Sequence, residues 1–210
     1  MALTGPAPAP REGADDTSSR ILDAAEHLFR TLGYEKTTVG DIAKATDMSP
    51  ANIYRFFHNK ADIVSQIADR WLSRLDEDLA RVAARPGTAE ERLHRFALAA
   101  HRDARAQFIH ERKVHELCAL VINEHWPVVQ RHIERYDATA EAILADGVAT
   151  GEFQVADLPA TARLIRTAMV KFIHPMMIAS CVDDDLAHEV EALVDLLLTG
   201  LKPRDRRRPV

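Results

Sequence analysis

Aromatic residues make up only 6% of this 210-residue chain, and cysteine occurs twice, at Cys118 and Cys181. So few aromatics are a poor supply for strands or for sugar-binding platforms. Two cysteines far apart in the sequence give neither a disulfide framework nor a Cys-x-x-Cys pair, and the pattern fits a reducing cytoplasm, the location expected for this chain. No apolar run approaches the roughly 18 to 20 residues a membrane span needs, and 28% of the residues are charged, so no membrane association is expected. An excess of positive charge is also missing. Lysine and arginine number 27 against 32 acidic residues, a net charge of −5, which argues against nonspecific coating of nucleic acid but leaves room for a small module with a basic face. The chain has no Gly-x-Ser-x-Gly, no His-Glu-x-x-His and no phosphate-binding glycine loop, so neither an enzyme nor a bound cofactor is expected.

What the chain has is helical periodicity. It is 47% hydrophobic, and its valines and isoleucines stand at intervals of three and four rather than in alternation. An all-α fold of about nine helices follows. A first helix starts near Ser18 or Ser19 and stops at Gly33. A second follows Thr38, which with Asp41 has capping-box spacing. After the break Thr46 to Ser49, Pro50 opens a third helix that runs to about Phe57. A fourth runs from Lys60 toward Ala84. Thr88 and Glu91 open the next, one or two pieces lead to Asn123, and another runs from Pro127 to Leu144, with Gly147 and Gly151 framing a turn. Two final helices, ending near Ser180 and Leu198, carry apolar stripes wide enough to pack on two fronts. The expected division is a disordered arm at 1–15, a helix-turn-helix domain at 16–62, a larger helical domain at 63–200 and a basic flexible tail at 201–210.

The segment Thr38 to Phe57 is the informative one. A short helix, a tight turn and a second short helix can place that second helix in the major groove of duplex DNA, which is about 12 Å wide. Ser49 and Asn52 can bond to base edges, Arg55 can grip guanine with two bonds, and Ala51, beside Pro50, offers a methyl to thymine. Ile53 and Phe57 are expected to turn inward. Around them Thr38, Tyr54 and Lys60 are the expected phosphate contacts, with Lys44 and Lys36 as looser ones. Between Thr17 and Lys60 six basic residues face five acidic ones, a balance of +1, so specificity must rest on placement.

Phe29, Gly33, Tyr34, Thr37, Thr38, Val39, Ile42, Ala43, Ser49, Ile53, Tyr54, Phe56, Phe57, Lys60 and Ile63, within LFRTLGYEKTTVGDIAKATDMSPANIYRFFHNKADIV, resemble the DNA-binding signature of the TetR family of bacterial transcriptional regulators. The resemblance covers about the first 65 residues. It implies double-stranded operator DNA as partner, an effector-binding and dimerising domain behind the reading module, and a homodimer formed through the last two helices. Thr38, Tyr54 and Lys60 match the family's phosphate-contacting positions, and Ser49 to Asn52 with Arg55 match its base-facing stretch. Two positions depart from the pattern: Asp47 and Asn52 stand where the family commonly has glycine.

The resemblance implies a ligand-responsive regulator, a repressor that binds a near-palindromic operator and is released by a small apolar effector. Phe96, Phe108, Leu117, Leu120, Val121, Trp126, Met169, Phe172, Ile173, His174, Met176 and Met177 can line an apolar pocket, though each also reads as ordinary core or surface. The alternative is a metal-responsive regulator or a helical metal-binding protein, because His115 and Cys118 share a helix face and His174 or Glu124 can join them. A third reading is an architectural DNA-binding dimer without an effector.

Overall fold

The computed structural model describes residues 12–108, 112–124, 126–179 and 186–203; within them the side chains of 12–15, 107–108, 112–115, 126 and 179 are not described. The described residues form ten helices and no strand: α1 Glu12–Leu32, α2 Val39–Ala45, α3 Pro50–Ile53, α4 Lys60–Ala83, α5 Ala89–Phe108, α6 Arg112–Glu124, α7 Trp126–Thr150, α8 Leu158–Ile173, α9 Pro175–Ala179 and α10 Ala187–Leu201. Contacts divide the chain into two compact units that meet between Ile67 and Ala68, inside α4, five residues beyond the expected boundary at 62.

In the first unit α1 starts earlier than expected, at Glu12, because no proline follows Pro10 to interrupt it. Ile21, Ala25 and Phe29 of α1, Ile42 of α2, Ile53 and Phe57 of the α3 segment, and Ile63 and Ile67 of α4 are all buried. Gly33, with φ of +94°, turns the chain out of α1, and its amide donates to the Phe29 carbonyl at 3.0 Å. Thr37 is fully buried and donates its hydroxyl to the Gly33 carbonyl at 2.8 Å, which fixes the approach to α2.

In the second unit α5 lies against α7, α8 and α10, and Leu93, Phe96, Ile143, Leu144, Met169 and Val194 are among its buried residues. Glu152 caps α5 from a distance, accepting the Ala89 and Glu90 amides at 2.8 and 3.3 Å. Two helix ends differ from expectation for local reasons. The helix expected to run on to Ser180 breaks at His174, whose extended backbone is the conformation a following proline imposes. Ser180 and the expected start of the last helix at Asp183 or Asp184 lie outside the described residues. The expected turn at Gly147 is instead helix, and the stop is Gly151, at φ +78°. Gly147 is there for space: a Cβ on it would stand 2.2 Å from Cδ2 of the buried Phe153 ring and 2.9 Å from the Ala89 Cβ.

Gly147→Ala is therefore expected to destabilise the second unit. Overpacking costs about 1–3 kcal/mol and outweighs the roughly 1 kcal/mol that alanine gains in a helix. Thermal unfolding checks this, and Phe153→Leu in the same chain should restore part of the loss.

Candidate DNA interface and effector cavity

Thr38 caps α2 in a reciprocal box. Its hydroxyl accepts the Asp41 amide at 3.1 Å and donates to Asp41 Oδ2 at 2.7 Å, while its own amide donates to the same oxygen at 2.8 Å. The Thr38 hydroxyl, followed by its amide, holds the Asp41 carboxyl below its usual pKa. The box thus supports the unit above the unfolded-state pKa of Asp41, and its support is lost as pH falls through the lowered folded value. The same bonds already occupy both donors of Thr38.

The turn after α2 is a Schellman closure. Met48 donates its amide to the Ala43 carbonyl at 2.8 Å and Asp47 donates to the Lys44 carbonyl at 3.4 Å, with Asp47 between them at φ +57°. Aspartate occupies this left-handed position at a cost that glycine avoids. Asp47→Gly is expected to stabilise the first unit by about 1 kcal/mol and, by removing an exposed negative charge beside the α3 segment, to tighten DNA binding. Thermal unfolding and titration of duplex DNA read both effects; a lower melting temperature would contradict the strain assigned to Asp47.

Helix α3 is a single turn, shorter than the expected run to Phe57, because beyond Ile53 the amides of Arg55 and Phe56 bond to carbonyls three residues back and tighten the chain. The Ser49 hydroxyl oxygen accepts the Asn52 amide at 3.2 Å, and Pro50 takes the first helical position. Ile53 and Phe57 point into the core, whereas Ser49, Pro50, Ala51, Tyr54 and Arg55 are exposed and Asn52 is half-buried. Arg55 Nη1 donates to Asn52 Oδ1 at 3.3 Å, a bond that uses one guanidinium donor and the Asn52 amide oxygen.

Lys60 is less open than its sequence position suggests. Its ammonium donates to the Tyr34 and Thr37 carbonyls at 2.9 and 3.1 Å and lies 3.9 Å from the centre of the Tyr34 ring. Two of its three donors hold the α1–α2 connection to the start of α4, so one remains for an outside anion. Lys44 and Lys36 are exposed.

The second unit contains a partly open cavity of about 200 Å³. Trp71, Leu72 and Leu75 of α4 form one wall, Cys118, Val121 and Ile122 of α6 a second, and Val129, His132, Ile133 and Tyr136 of α7 a third. Arg166, Val170 and Ile173 of α8 close it, followed by His174 and Pro175. Of the expected lining, the structure places Val121, Ile173 and His174 here. Phe96, Leu117, Met169 and Phe172 are instead buried outside the lining. The reason is visible on α8: Ile165, Met169 and Phe172 form the stripe that faces the core, and Arg166, Val170 and Ile173, one step around, form the stripe that faces the cavity. Met176 and Met177 are exposed on α9, and the side chains of Phe108 and Trp126 lie outside those described. Sequence reading missed His132, Tyr136 and Arg166. The i, i+4 spacing of His132 and Tyr136 put them on one face, but nothing in the sequence said what that face met.

A polar seam joins the α4 and α7 walls. Asp69 pairs with Arg131 at 2.7 Å, and the nearly buried Asp76 accepts from His132 Nδ1 at 2.6 Å and Arg135 Nη1 at 3.2 Å. Cys118 and His174 both line the cavity, but among the described residues no three His, Cys, Asp or Glu side chains are grouped to hold a metal, and the His115 side chain lies outside them.

A helix-turn-helix with an exposed second helix thus precedes a helical unit with an apolar cavity. Family models match on both sides of the boundary: "Bacterial regulatory proteins, tetR family" over residues 21–67 and "Tetracyclin repressor-like, C-terminal domain" over residues 89–194. The chain belongs to the TetR family. It is 36% identical over 73 residues to the HTH-type transcriptional regulator TtgR of Pseudomonas putida, an alignment covering 35% of this chain and 34% of that protein. It is 24% identical over 155 residues to the uncharacterized HTH-type transcriptional regulator YhgD of Bacillus subtilis, covering 70% of this chain and 77% of the relative. The first match thus spans about a third of the relative's length. Among solved structures, a TetR-family regulator from Mesorhizobium loti superposes with a TM-score of 0.73 at 18% identity, over 93% of this chain and 100% of the other, and shares its fold. No described helix is long and apolar enough to cross a membrane.

Proposed function

We propose that this chain is a homodimeric repressor that reads a near-palindromic operator with α3 and is released when a small, mainly apolar molecule enters the cavity of the second unit. The observation that carries the reading is the division of the α3 segment. Its apolar residues Ile53 and Phe57 anchor it, and Ser49, Pro50, Ala51, Tyr54 and Arg55 are left exposed together. A surface of small and hydrogen-bonding side chains backed by a rigid core is what entry into the major groove requires. Ser49, Asn52 and Arg55 supply base contacts, Pro50 and Ala51 allow close approach, and Tyr54 and Lys60 reach phosphates, with Lys44 as a longer-range cation. Thr38 contributes chiefly by fixing α2, since its donors are engaged by Asp41.

Dimerisation through α8 and α10 is supported by two leucines that their own chain does not cover, Leu164 at 67% exposure and Leu196 at 69%. The cavity favours an effector-controlled regulator over an architectural dimer with no ligand. Since α4 begins in the DNA-binding unit and lines the cavity with its middle turns, an effector that favours one position of α4 over another biases DNA binding.

Arg55→Ala tests the reading function. It is expected to weaken binding to a selected operator about 10- to 100-fold while changing binding to random duplex little, the pattern of a lost base contact. Equal losses on both duplexes would remove Arg55 from base recognition.

A further inference from the structure

The Tyr136 hydroxyl stands out in the second unit. The residue is 3% exposed, its ring packs on Phe96 with centroids 4.7 Å apart, and it lines the cavity, yet its oxygen has no hydrogen-bond partner among the described residues. A buried hydroxyl without a partner is costly, and on a residue that lines a cavity it is the group that an incoming acceptor would satisfy. Burial, foremost, and the nearby Asp137 raise the pKa of this phenol well above its ordinary value, so the group stays protonated and donates.

Arg166 is the second polar member of this corner. Its Nε donates to Asp137 Oδ1 at 2.7 Å, and its terminal nitrogens have no partner among the described residues. Its charge is close enough to act on the Tyr136 hydroxyl. The remaining walls are overwhelmingly apolar, with Trp71, Leu75, Val121 and Ile133 among them. Of the other ionisable groups at or behind the lining, Asp137 faces Arg166, Asp76 faces His132 and Arg135, and His174 Nδ1 accepts the Met176 amide at 3.3 Å.

We infer that the cavity selects an amphipathic molecule with an apolar body and a single carboxylate, which Tyr136 and Arg166 bind as paired donors. The inference rests on the cavity being the effector site. It adds the chemistry of the head group: an acceptor carrying negative charge is matched at this corner, and an ammonium group is not. Tyr136 is then the residue that reads the head, and the apolar walls read the body.

The test uses the full-length protein and three probes of one shape: naphthalene, 2-naphthoate and 2-naphthylmethylammonium, each titrated by calorimetry against the parent protein, Tyr136→Phe and Val121→Trp. The parent protein is expected to bind 2-naphthoate at least tenfold more tightly than the ammonium probe. Tyr136→Phe should weaken 2-naphthoate about tenfold or more and leave naphthalene unchanged, as loss of one hydrogen bond to a charged group predicts. Because the hydroxyl has no partner among the described residues, the same variant should unfold at the same or a higher temperature. Val121→Trp, which fills the cavity, should weaken all three probes. If naphthalene binds and is blocked by Val121→Trp, but Tyr136→Phe leaves 2-naphthoate unchanged or the ammonium probe binds as well, the head-group assignment is wrong while the cavity stands as a ligand site. If no probe binds the parent protein, or Val121→Trp blocks none, the effector-site reading fails and takes the assignment with it.

Discussion

Ala51→Glu is expected to reduce binding to a selected operator by at least about a hundredfold while leaving helix content and melting temperature nearly unchanged. Ala51 is exposed on the first turn of α3, between the Ser49 cap and the Arg55–Asn52 pair. A glutamate there has room on the folded protein, and a carboxylate in a helix's first turn interacts favourably with the helix dipole, so the fold has no reason to suffer. Against DNA the same carboxylate meets phosphates and the acceptor-rich edges of purines. Like-charge contact at an interface costs several kcal/mol, which sets the hundredfold scale. Electrophoretic mobility shifts with the parent and variant proteins decide the matter. Unchanged affinity would mean that the face carrying Ala51 does not touch DNA.

The second large effect is expected at α8 and α10. Leu164→Glu together with Leu196→Glu should convert the dimer into a monomer in sedimentation experiments and lower operator affinity by at least about a hundredfold. Both leucines are mostly exposed on their own chain, so the substitutions place no charge in that chain's core. In a dimer they would place four carboxylates in an apolar seam, where unpaired charge is not tolerated. The loss on DNA follows from avidity: two linked reading heads gain a factor of about 10²–10⁴ over one, without any new contact per head. A double variant that remains dimeric and binds normally would remove these two helices from the interface.

The reading module was largely legible in the sequence because its signals are local. Thr38 with Asp41 has capping-box spacing and Pro50 suits a first helical position, signals read within a few residues, and the structure forms the Thr38–Asp41 box and starts α3 at Pro50. Asp47 was legible too: the backbone needs a left-handed residue there, and aspartate supplies it. Lys60 was read less completely. Its position matched an anion contact, but its carbonyl partners on Tyr34 and Thr37 lie more than twenty residues away and leave no mark near it.

The cavity was much less legible. A helix with two apolar stripes, such as α8, does not announce which stripe meets the core, so Met169 and Phe172 were assigned to the pocket while their neighbours Arg166 and Val170 line it. Gly147 misled for a similar reason. Glycine usually reads as a stop, but here the missing side chain makes room for Phe153, a tertiary demand invisible in the local sequence. The Tyr136 ring is core, and only the structure reveals that its hydroxyl has no partner among the described residues.

The most direct test of the central claim, that the face of α3 reads duplex DNA twice per dimer, is selection from a random duplex library with the purified full-length protein. The account predicts enrichment of one inverted repeat whose half-sites are centred about 10–10.5 base pairs, or a multiple of that, apart. It also predicts that Arg55→Ala flattens the preference at a symmetric pair of positions in that repeat. A protein that enriches no sequence at any salt concentration at which it binds DNA, or an enriched site unaffected by changes at Ala51 and Arg55, would contradict it.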